Sequence, residues 1–175
     1  MTNLVKDTVL GKWKADGHAL SCDALPYARI MFPYEAPDEY DFHVEYTRMN
    51  LVNTICMILN KNGREFVFEF ARPDDLMGFA YIDSKHLDAN PTKTVLPFPN
   101  GRRYSLVVQV RNGGFKAFVD GKQMIVYVTN YKNVTPHTGW VLPNKLCVGI
   151  GTYGCPVVFH TAELMEITGK GKRLR

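Results

Sequence analysis

The sequence has 175 residues and a mass of 19.9 kDa, which is enough for one domain with its own hydrophobic core. Its 46% hydrophobic and 22% charged residues exclude a disordered chain, and no apolar run is long enough for a membrane-spanning helix. The formal net charge is +4, but four of the 21 basic residues fall in the last six positions, so no nucleic-acid-binding patch is expected on the folded body.

Alternation of apolar and polar residues dominates the chain and predicts β-strands. The predicted strands are residues 11–14, 18–22, 28–33, 39–49, 54–60, 64–72, 78–83, 103–111, 115–120, 123–128, 145–151 and 156–167. Residues 3–10 and 73–77 are each expected to form a turn or a short helix. Asn-Gly and Asp-Gly pairs within 61–63, 111–114 and 120–121 predict tight hairpins, because these residues adopt the positive φ angles that such turns need. Many short strands with regular turns are typical of an antiparallel sandwich or barrel.

Within three of these strands, alternate side chains are expected to face the core. The predicted inward residues are Tyr40, Phe42, Val44, Tyr46, Phe66, Phe68, Phe70, Tyr104, Leu106, Val108 and Val110. The runs 54–59 and 124–128 are apolar on both faces, which predicts central strands or strands that loops cover.

Residues 129–144 break this rhythm and are predicted to form a long surface loop, which on a rigid β-scaffold often carries function. Residues 1–10 are predicted to be a lead-in, 11–169 a single β-sandwich domain, and 170–175 a basic, frayed tail. Removing the tail is expected to leave folding unchanged, because Leu174 is its one apolar residue. No secretory signal is recognised at the amino terminus, and the sequence leaves the compartment open.

The cysteines are Cys22, Cys56, Cys147 and Cys155. Two disulfide bridges are one possibility, but the absence of a signal and the apolar surroundings of Cys56 favour four free thiols. No pair has C-x-x-C spacing and the histidines show no close ligand pair, so no metal site is predicted. Calcium at a rim loop stays an open possibility without support from the sequence, and no other cofactor is expected.

Two familiar enzyme motifs are rejected. Residues 149–154 match G-x-G-x-x-G, but a strand follows in place of the helix N-terminus that a dinucleotide fingerprint requires. The small side chains at 147, 149 and 151 predict instead a strand face that another backbone or a ligand can approach closely. None of the three serines lies in G-x-S-x-G, so serine hydrolysis is not predicted.

Three groups of motifs carry a family resemblance. They are Gly-Lys-Trp with Tyr-Ala-Arg-Ile-Met-Phe-Pro and Pro-Asp-Glu-Tyr-Asp-Phe-His-Val-Glu-Tyr-Thr-Arg; Asn-Gly-Arg-Arg-Tyr-Ser-Leu-Val-Val-Gln-Val-Arg with Val-Asp-Gly-Lys; and Gly-Ile-Gly-Thr with Val-Val-Phe-His-Thr-Ala-Glu-Leu. Together they resemble the concanavalin-A-like jelly roll of laminin-G type, and more narrowly the bacterial 3-keto-disaccharide-hydrolase-like domains common in planctomycetes. The resemblance covers about residues 7–170 and implies an all-β, two-sheet antiparallel β-sandwich with little helix. Such domains often sit beside other domains, and a shared fold does not transfer chemistry.

The candidate site combines outward polar residues with aromatic rings. Glu45 and Glu69 are the candidate catalytic carboxylates if their strands are neighbours, with solvated surface glutamates as the alternative. The predicted site lies on the outward face of one sheet that contains 39–49 and 64–72, with loop 129–144 and the turn at 151–155 as its rim. The candidate ligand-binding residues are His43, Glu45, Glu69, Arg72, Gln109, Trp140 and Tyr153, with Tyr81 and Tyr131 as further rings and Trp13 assigned to the core.

A non-catalytic carbohydrate-binding module is the favoured function, with a glycan or small sugar as the partner. The alternatives are a glycoside-active enzyme resembling the 3-keto-disaccharide hydrolases and a protein interaction or assembly module. Neither nucleic acid nor a membrane is an expected partner, whereas other domains of a larger protein are a possible one.

Overall fold

The structure is a computed structural model that describes residues 3–175. Strand makes up 56% of it and helix 6%, which confirms the predicted all-β class. One short helix, α1, spans Leu4–Asp7, and 3-10 turns span Leu87–Ala89 and Thr138–Trp140. The strands are β1 (Thr8–Leu10), β2 (Trp13–Asp16), β3 (Ala19–Cys22), β4 (Ala28–Glu35), β5 (Glu39–Arg48), β6 (Ile55–Lys61), β7 (Arg64–Phe70), β8 (Leu76–Phe79), β9 (Tyr81–Ile82), β10 (Lys85–His86), β11 (Thr94–Val95), β12 (Arg103–Arg111), β13 (Gly114–Val119), β14 (Lys122–Val128), β15 (Val134–Thr135), β16 (Cys147–Thr152), β17 (Val157–Thr168) and β18 (Lys172–Arg173).

Two large antiparallel sheets pack face to face as a jelly-roll sandwich. The eight-stranded sheet has the order β1-β4-β16-β6-β7-β8-β11, and β18 also pairs with β4. The seven-stranded sheet has the order β14-β13-β12-β5-β17-β3-β2, while β10, β9 and β15 form a small third sheet. Within residues 3–175, no helix has both the length and the apolar character needed to cross a membrane.

The core lies between the two large sheets and is rich in aromatic rings. Every residue that the alternation predicts to face inward from β5, β7 and β12 is buried. Phe79 and Phe115 meet across the sheets with ring centroids 3.7 Å apart, and Trp13 stacks on Phe159 as a core residue. Burying one such ring stabilises the fold by about 1.5–3 kcal/mol, so the aromatic stripe of β7 is a main contact between the sheets.

Eleven of the twelve predicted strands are confirmed, each within two residues of its predicted ends. The twelfth, predicted over 78–83, is wrong, because these residues form the end of β8 and the whole of β9, which lie in different sheets. The three predicted hairpins are also present, because β6 pairs with β7, β12 with β13 and β13 with β14. Asn62 and Gly63 have φ of 51° and 80°, and Asp120 and Gly121 have φ of 49° and 78°, whereas in the turn at 111–114 the positive φ is that of Gly114, 139°. The strands that sequence analysis missed have only two or three residues, which is too short for an alternation to be recognised.

Two expectations about strand placement are wrong. The strands β5 and β7 do not share a sheet, because β5 pairs with β12 and β17 while β7 pairs with β6 and β8. The apolar strand β14 is not covered on both faces but lies at the edge of the seven-stranded sheet, where Val126 and Val128 are 54% and 83% exposed. The other run that is apolar on both faces, β6, is buried throughout, as predicted.

The carboxyl-terminal residues are attached to the sandwich, which corrects the expected frayed tail. Strand β18 pairs with Tyr34 and Glu35 of β4, and the backbone N–H of Leu174 donates to the carbonyl of Pro33 over 3.0 Å. The guanidinium of Arg175 forms an ion pair with Asp7, which is 1% exposed at the end of α1. The tail therefore covers a buried carboxylate at the other end of the chain.

Deleting residues 172–175 is consequently expected to destabilise the protein. Removing one partner of a partly buried ion pair, together with a strand pairing, should cost about 1–3 kcal/mol and lower the melting temperature by several degrees. The Arg175→Gln variant should account for much of the loss, whereas Lys170→Gln, whose side chain is 89% exposed, should melt like the wild type. Calorimetry of the three variants tests this, and an unchanged melting temperature for the deletion would restore the frayed-tail interpretation.

Candidate functional site

A pocket of about 300 Å³ lies on the outer face of the eight-stranded sheet, away from the core. The residues that line it are Tyr27, Asn53, Thr54, Glu69, Arg72, Pro73, His86, His137, Trp140 and Tyr153. One wall is formed by residues 136–142, which fold back over the sheet and which we call the cover segment. This segment is the middle of the predicted loop 129–144, so the loop covers a sheet face instead of projecting into solvent.

The side chains on the sheet face beneath the cover segment are small or apolar. Cys56, Ile58 and Val67 point outward and pack against Trp140 and Leu142. On β16, a Cβ atom on Gly151 would come within 2.8 Å of the Trp140 ring, so only glycine leaves room for it. The small face predicted from residues 147, 149 and 151 thus exists, and a segment of the same chain occupies it.

Two polar contacts hold the cover segment on the sheet. The Arg29 guanidinium donates through Nε to the carbonyl of Val141 over 2.9 Å, and the backbone N–H of Leu142 donates to Oε1 of Glu65 over 2.9 Å. Because both partners lie on regular strands, the segment is positioned by the sheet.

Trp140 is a buried part of the pocket and not the exposed rim ring that the sequence predicts. Its side chain is 1% exposed, and its indole Nε1–H donates to Oε1 of Glu69 over 3.0 Å. The expectation is wrong because the lack of periodicity around a loop residue says nothing about what the loop covers.

An ion-pair network forms one side of the pocket. Glu69 is 5% exposed, and its Oε2 accepts a hydrogen bond from Nη1 of Arg72 over 3.0 Å. The same guanidinium donates through Nε and Nη2 to both oxygens of Asp74, each over 3.1 Å. Burial alone would lower the pKa of Arg72, but the bonds to Asp74 and Glu69 raise it, and the bond to Arg72 lowers the pKa of Asp74. The guanidinium is therefore a fixed, permanently charged planar group at the pocket wall.

Aromatic rings also line the pocket. Tyr27 stacks on His137, with centroids 5.2 Å apart and planes at 11°, and meets Tyr153 edge-on at 4.7 Å. Tyr81 extends the row, since it stacks on His137 at 6.2 Å and contacts His86 edge-on at 5.2 Å. Burial raises the pKa of Tyr27, so its hydroxyl stays protonated at neutral pH.

His137 also fixes the geometry of the cover segment. Its Nδ1 accepts a hydrogen bond from the backbone N–H of Gly139 over 3.1 Å, at the start of the 3-10 turn that carries Trp140. This network assigns the ring proton to Nε2, which lies 3.4 Å from the Tyr27 hydroxyl.

The structure divides the candidate ligand-binding residues between the two sheets. Glu69, Arg72, Trp140 and Tyr153 come together in the pocket. Sequence reasoning missed Tyr27, Asn53, His86 and His137. Tyr27, Asn53 and His137 lie in turns or loops and His86 ends the two-residue strand β10, so none of them belongs to a recognisable pattern. The sequence contained one signal, since Tyr27 follows a proline and begins the Tyr-Ala-Arg-Ile-Met-Phe-Pro motif. In the structure Tyr27 adopts the unusual φ of 57°.

The other three candidates lie on the outer face of the seven-stranded sheet. His43 Nε2 is 2.9 Å from Ser105 Oγ, and the amide of Gln109 donates to Asp41 over 3.2 Å. Glu45 forms an ion pair with Arg103, whose hydrogen bond lowers the Glu45 pKa. Glu45 and Glu69 are therefore on different sheets, and the hypothesis that they share a catalytic cleft is wrong.

The further ring candidate Tyr131 has a structural position. It is 2% exposed, and its hydroxyl contacts the carbonyls of Arg111 and Gly114 over 2.7 and 2.5 Å. Among residues 3–175, no cluster of three or more histidine, cysteine, aspartate or glutamate side chains is arranged to hold a metal ion. The four cysteines are free and buried.

Glu65 on β7 is buried under the cover segment. It is 4% exposed, and its Oε2 has no hydrogen-bond partner among the described residues. Burial raises the pKa of this carboxyl above its usual value. The hydrogen bond from the Leu142 N–H and the charges of Lys145 and Arg29 lower the pKa, but they offset the effect of burial only in part.

Replacing Glu65 with glutamine should therefore stabilise the protein as the pH rises. A raised folded-state pKa means that wild-type stability is fully present below the unfolded pKa of about 4.3 and declines as the pH passes through the folded value. The Glu65→Gln variant lacks that decline, so its melting temperature should exceed the wild-type value by more at pH 8 than at pH 4. Glu163 is exposed on β17, and Glu163→Gln should show no such trend. A constant difference between wild type and Glu65→Gln from pH 4 to 8 would contradict this account.

Comparison with known proteins supports the fold and leaves the function open. No protein-family model matches the chain, and no curated protein matches it by sequence. The fold is similar to that of the carbohydrate binding module CBM66 from Bacillus subtilis, with a TM-score of 0.66, 12% identity, and 91% of this chain and 94% of that chain covered. It is also similar to the galectin LEC-6 from Caenorhabditis elegans, with a TM-score of 0.53, 13% identity, and 87% and 99% covered.

A third similar structure is a protein of unknown function with a galectin-like fold from Bacillus subtilis. Its TM-score is 0.60 at 11% identity, with 93% of this chain and 87% of that chain covered. These likenesses show that the chain has the jelly-roll β-sandwich fold that galectin-like proteins and carbohydrate-binding modules share.

Proposed function

We propose that this protein is a non-catalytic carbohydrate-binding module whose site is the pocket between β7 and the cover segment. The observation that carries the proposal is the pairing of a fixed Arg72–Glu69 network with the aromatic row of Tyr27 and Tyr153. A sugar ring presents an apolar face to aromatic rings and hydroxyls to planar polar groups. The pocket offers both kinds of surface.

The size and rigidity of the pocket support the same proposal. Its volume of about 300 Å³ is at the lower end of the range for small-molecule sites, which suits one sugar ring. Arg72 is held by two carboxylates and Trp140 by Glu69, so little side-chain freedom is lost when a ligand binds.

Binding is favoured over glycoside hydrolysis by the number of carboxylates. Hydrolysis by the usual mechanisms requires two carboxyl groups facing the bond, about 5 to 9.5 Å apart. Among the described residues that line the pocket, Glu69 is the one carboxylate, and both of its oxygens accept hydrogen bonds. Similarity to a Parabacteroides distasonis protein described as a glycosyl hydrolase does not change this, because a shared fold at 10% identity does not transfer catalytic residues.

The test is a glycan array followed by calorimetry with the methyl glycoside of the terminal sugar that binds. Tyr153→Ala and Arg72→Met should each weaken binding by about tenfold or more, because each removes one side of the pocket. His43→Ala and Gln109→Ala, on the other sheet, are matched controls and should bind like the wild type. If the two controls lose affinity and the pocket variants do not, the sugar site is on the seven-stranded sheet; if no glycan binds, the assembly-module alternative gains.

A further inference from the structure

A group of exposed apolar side chains borders the sugar pocket. Met49, Leu51 and Val52 belong to the loop between β5 and β6 and are 51%, 50% and 50% exposed. Leu25, in the turn before β4, is 40% exposed. We call these four residues the apolar rim. Single exposed apolar side chains are ordinary on a protein surface, whereas several together at the edge of a polar site mark a surface for a ligand or a partner.

Backbone hydrogen bonds attach both parts of the apolar rim to the turn that carries the pocket ring Tyr153. The Tyr153 N–H donates to the carbonyl of Thr54 over 2.8 Å, at the end of the loop 49–54. The N–H of the next residue, Gly154, donates to the carbonyl of Leu25 over 3.2 Å. Two segments that are distant in the sequence are therefore held against the same turn, and regular backbone contacts fix the position of the rim.

The same segments lead directly into the sugar pocket. Val52 precedes Asn53, which lines the pocket, and consecutive Cα atoms are about 3.8 Å apart. Leu25 lies two residues before Tyr27, which meets Tyr153 edge-on in the pocket. A substituent that leaves a sugar ring in this pocket can therefore contact the rim within the length of a short alkyl chain.

The apolar rim is uncharged. The segments 24–27 and 49–54, Ala-Leu-Pro-Tyr and Met-Asn-Leu-Val-Asn-Thr, contain no acidic or basic residue. Arg48, which precedes the second segment, is buried and its guanidinium contacts backbone carbonyls, while Asp23, which precedes the first segment, is exposed. The rim therefore favours a neutral hydrocarbon, and it lacks the exposed basic residues that attract a protein to an anionic lipid surface.

We infer that this protein binds glycosides whose aglycone is an uncharged alkyl group, with the sugar in the pocket and the alkyl group on the apolar rim. The inference rests on the proposed function, because the pocket supplies the sugar site. Contact with the rim covers the alkyl group from one side, so each methylene gains about half of what full burial in a core would give. The occupant is a soluble alkyl glycoside and not a membrane surface.

The experiment is calorimetric titration of the whole chain with the methyl, butyl and hexyl glycosides of the terminal sugar that the glycan array identifies. Affinity should rise about twofold for each added methylene, which is about tenfold or more from methyl to hexyl. The double variant Leu51→Ser/Val52→Ser should lose most of this rise and keep the wild-type affinity for the methyl glycoside. Val126→Ser/Val128→Ser, which replaces exposed apolar residues on β14, is the matched control and should keep the full rise.

A further variant and three outcomes decide the inference. Leu25→Ser changes the other segment of the rim and should also reduce the rise, while melting curves show that each variant folds. Equal affinity of the wild type for the methyl and hexyl glycosides overturns the inference and leaves the proposed function standing. An array without any binding sugar contradicts the proposed function itself, and the inference with it. Hexyl glycoside binding that Tyr153→Ala leaves unchanged, or binding to phosphatidylcholine vesicles that carry no sugar, would show that the rim takes hydrocarbon without the pocket and also overturns the inference.

Discussion

Replacing Trp140 with alanine is expected to lower the free energy of unfolding by about 3–5 kcal/mol, because the substitution leaves a cavity where a fully buried indole packs. The ring is 1% exposed and fills the space above Gly151 and Cys56. The loss corresponds to a fall in melting temperature of about 10 °C or more for a chain of this size. Thermal unfolding followed by circular dichroism measures it directly.

Trp140→Phe separates packing from hydrogen bonding at the same position. The phenyl ring keeps most of the buried apolar surface but removes the N–H that donates to Glu69. We expect a smaller loss of stability than for alanine, together with weaker sugar binding, because Glu69 loses one of the two partners that orient it toward Arg72. A Trp140→Ala variant as stable as the wild type would show that the cover segment does not pack on the sheet.

Replacing Arg48 with methionine should have a comparable effect, at about 3 kcal/mol or more, because it leaves several buried acceptors without a donor. Arg48 ends β5 and is 4% exposed. Its guanidinium contacts the carbonyls of Ala71 and Phe98 and donates through Nε to Oδ1 of Asn100 over 2.6 Å. It therefore joins the seven-stranded sheet to the end of β7 and to the loop before β12.

The matched control for Arg48 is Arg103, which is also on the seven-stranded sheet but is 56% exposed at its side chain. Arg103→Met breaks a surface ion pair with Glu45 and should change the stability little. Chemical denaturation of both variants gives the comparison. Equal midpoints for Arg48→Met and Arg103→Met would mean that the buried contacts of Arg48 add nothing to stability.

The amino-acid sequence predicts the strands well because their alternation is local. It does not predict which strands become neighbours, since β5 and β7 carry the same pattern and yet belong to different sheets. The error in the candidate site follows from this, because it placed His43 and Glu69 on one face. Residues that come together in the pocket are separated by long stretches of chain, as Tyr27 and Tyr153 are, and no local pattern relates them.

The burial of Trp140 could have been predicted in part from the sequence. The small face of β16 predicts the close approach of another segment, and a large ring in an adjoining aperiodic loop needs such a face in order to be buried. Joining these two facts requires knowing that β16 lies beside β6, which only the folded topology provides. Arg48 is a different case, because a charged residue at the end of a strand is usually solvated and nothing in the sequence marks its buried acceptors.

The position of β16 has a consequence for the order of folding. This late strand inserts between β4 and β6, which come from the first third of the chain, so the eight-stranded sheet stays split until the chain is nearly complete. Such non-local pairing is slow, because the entropy of closing a long loop is lost before the contacts form. The cover segment can settle only after Gly151 is in place beside Cys56. A ligand in the pocket would therefore slow unfolding of the native protein and leave the refolding rate unchanged.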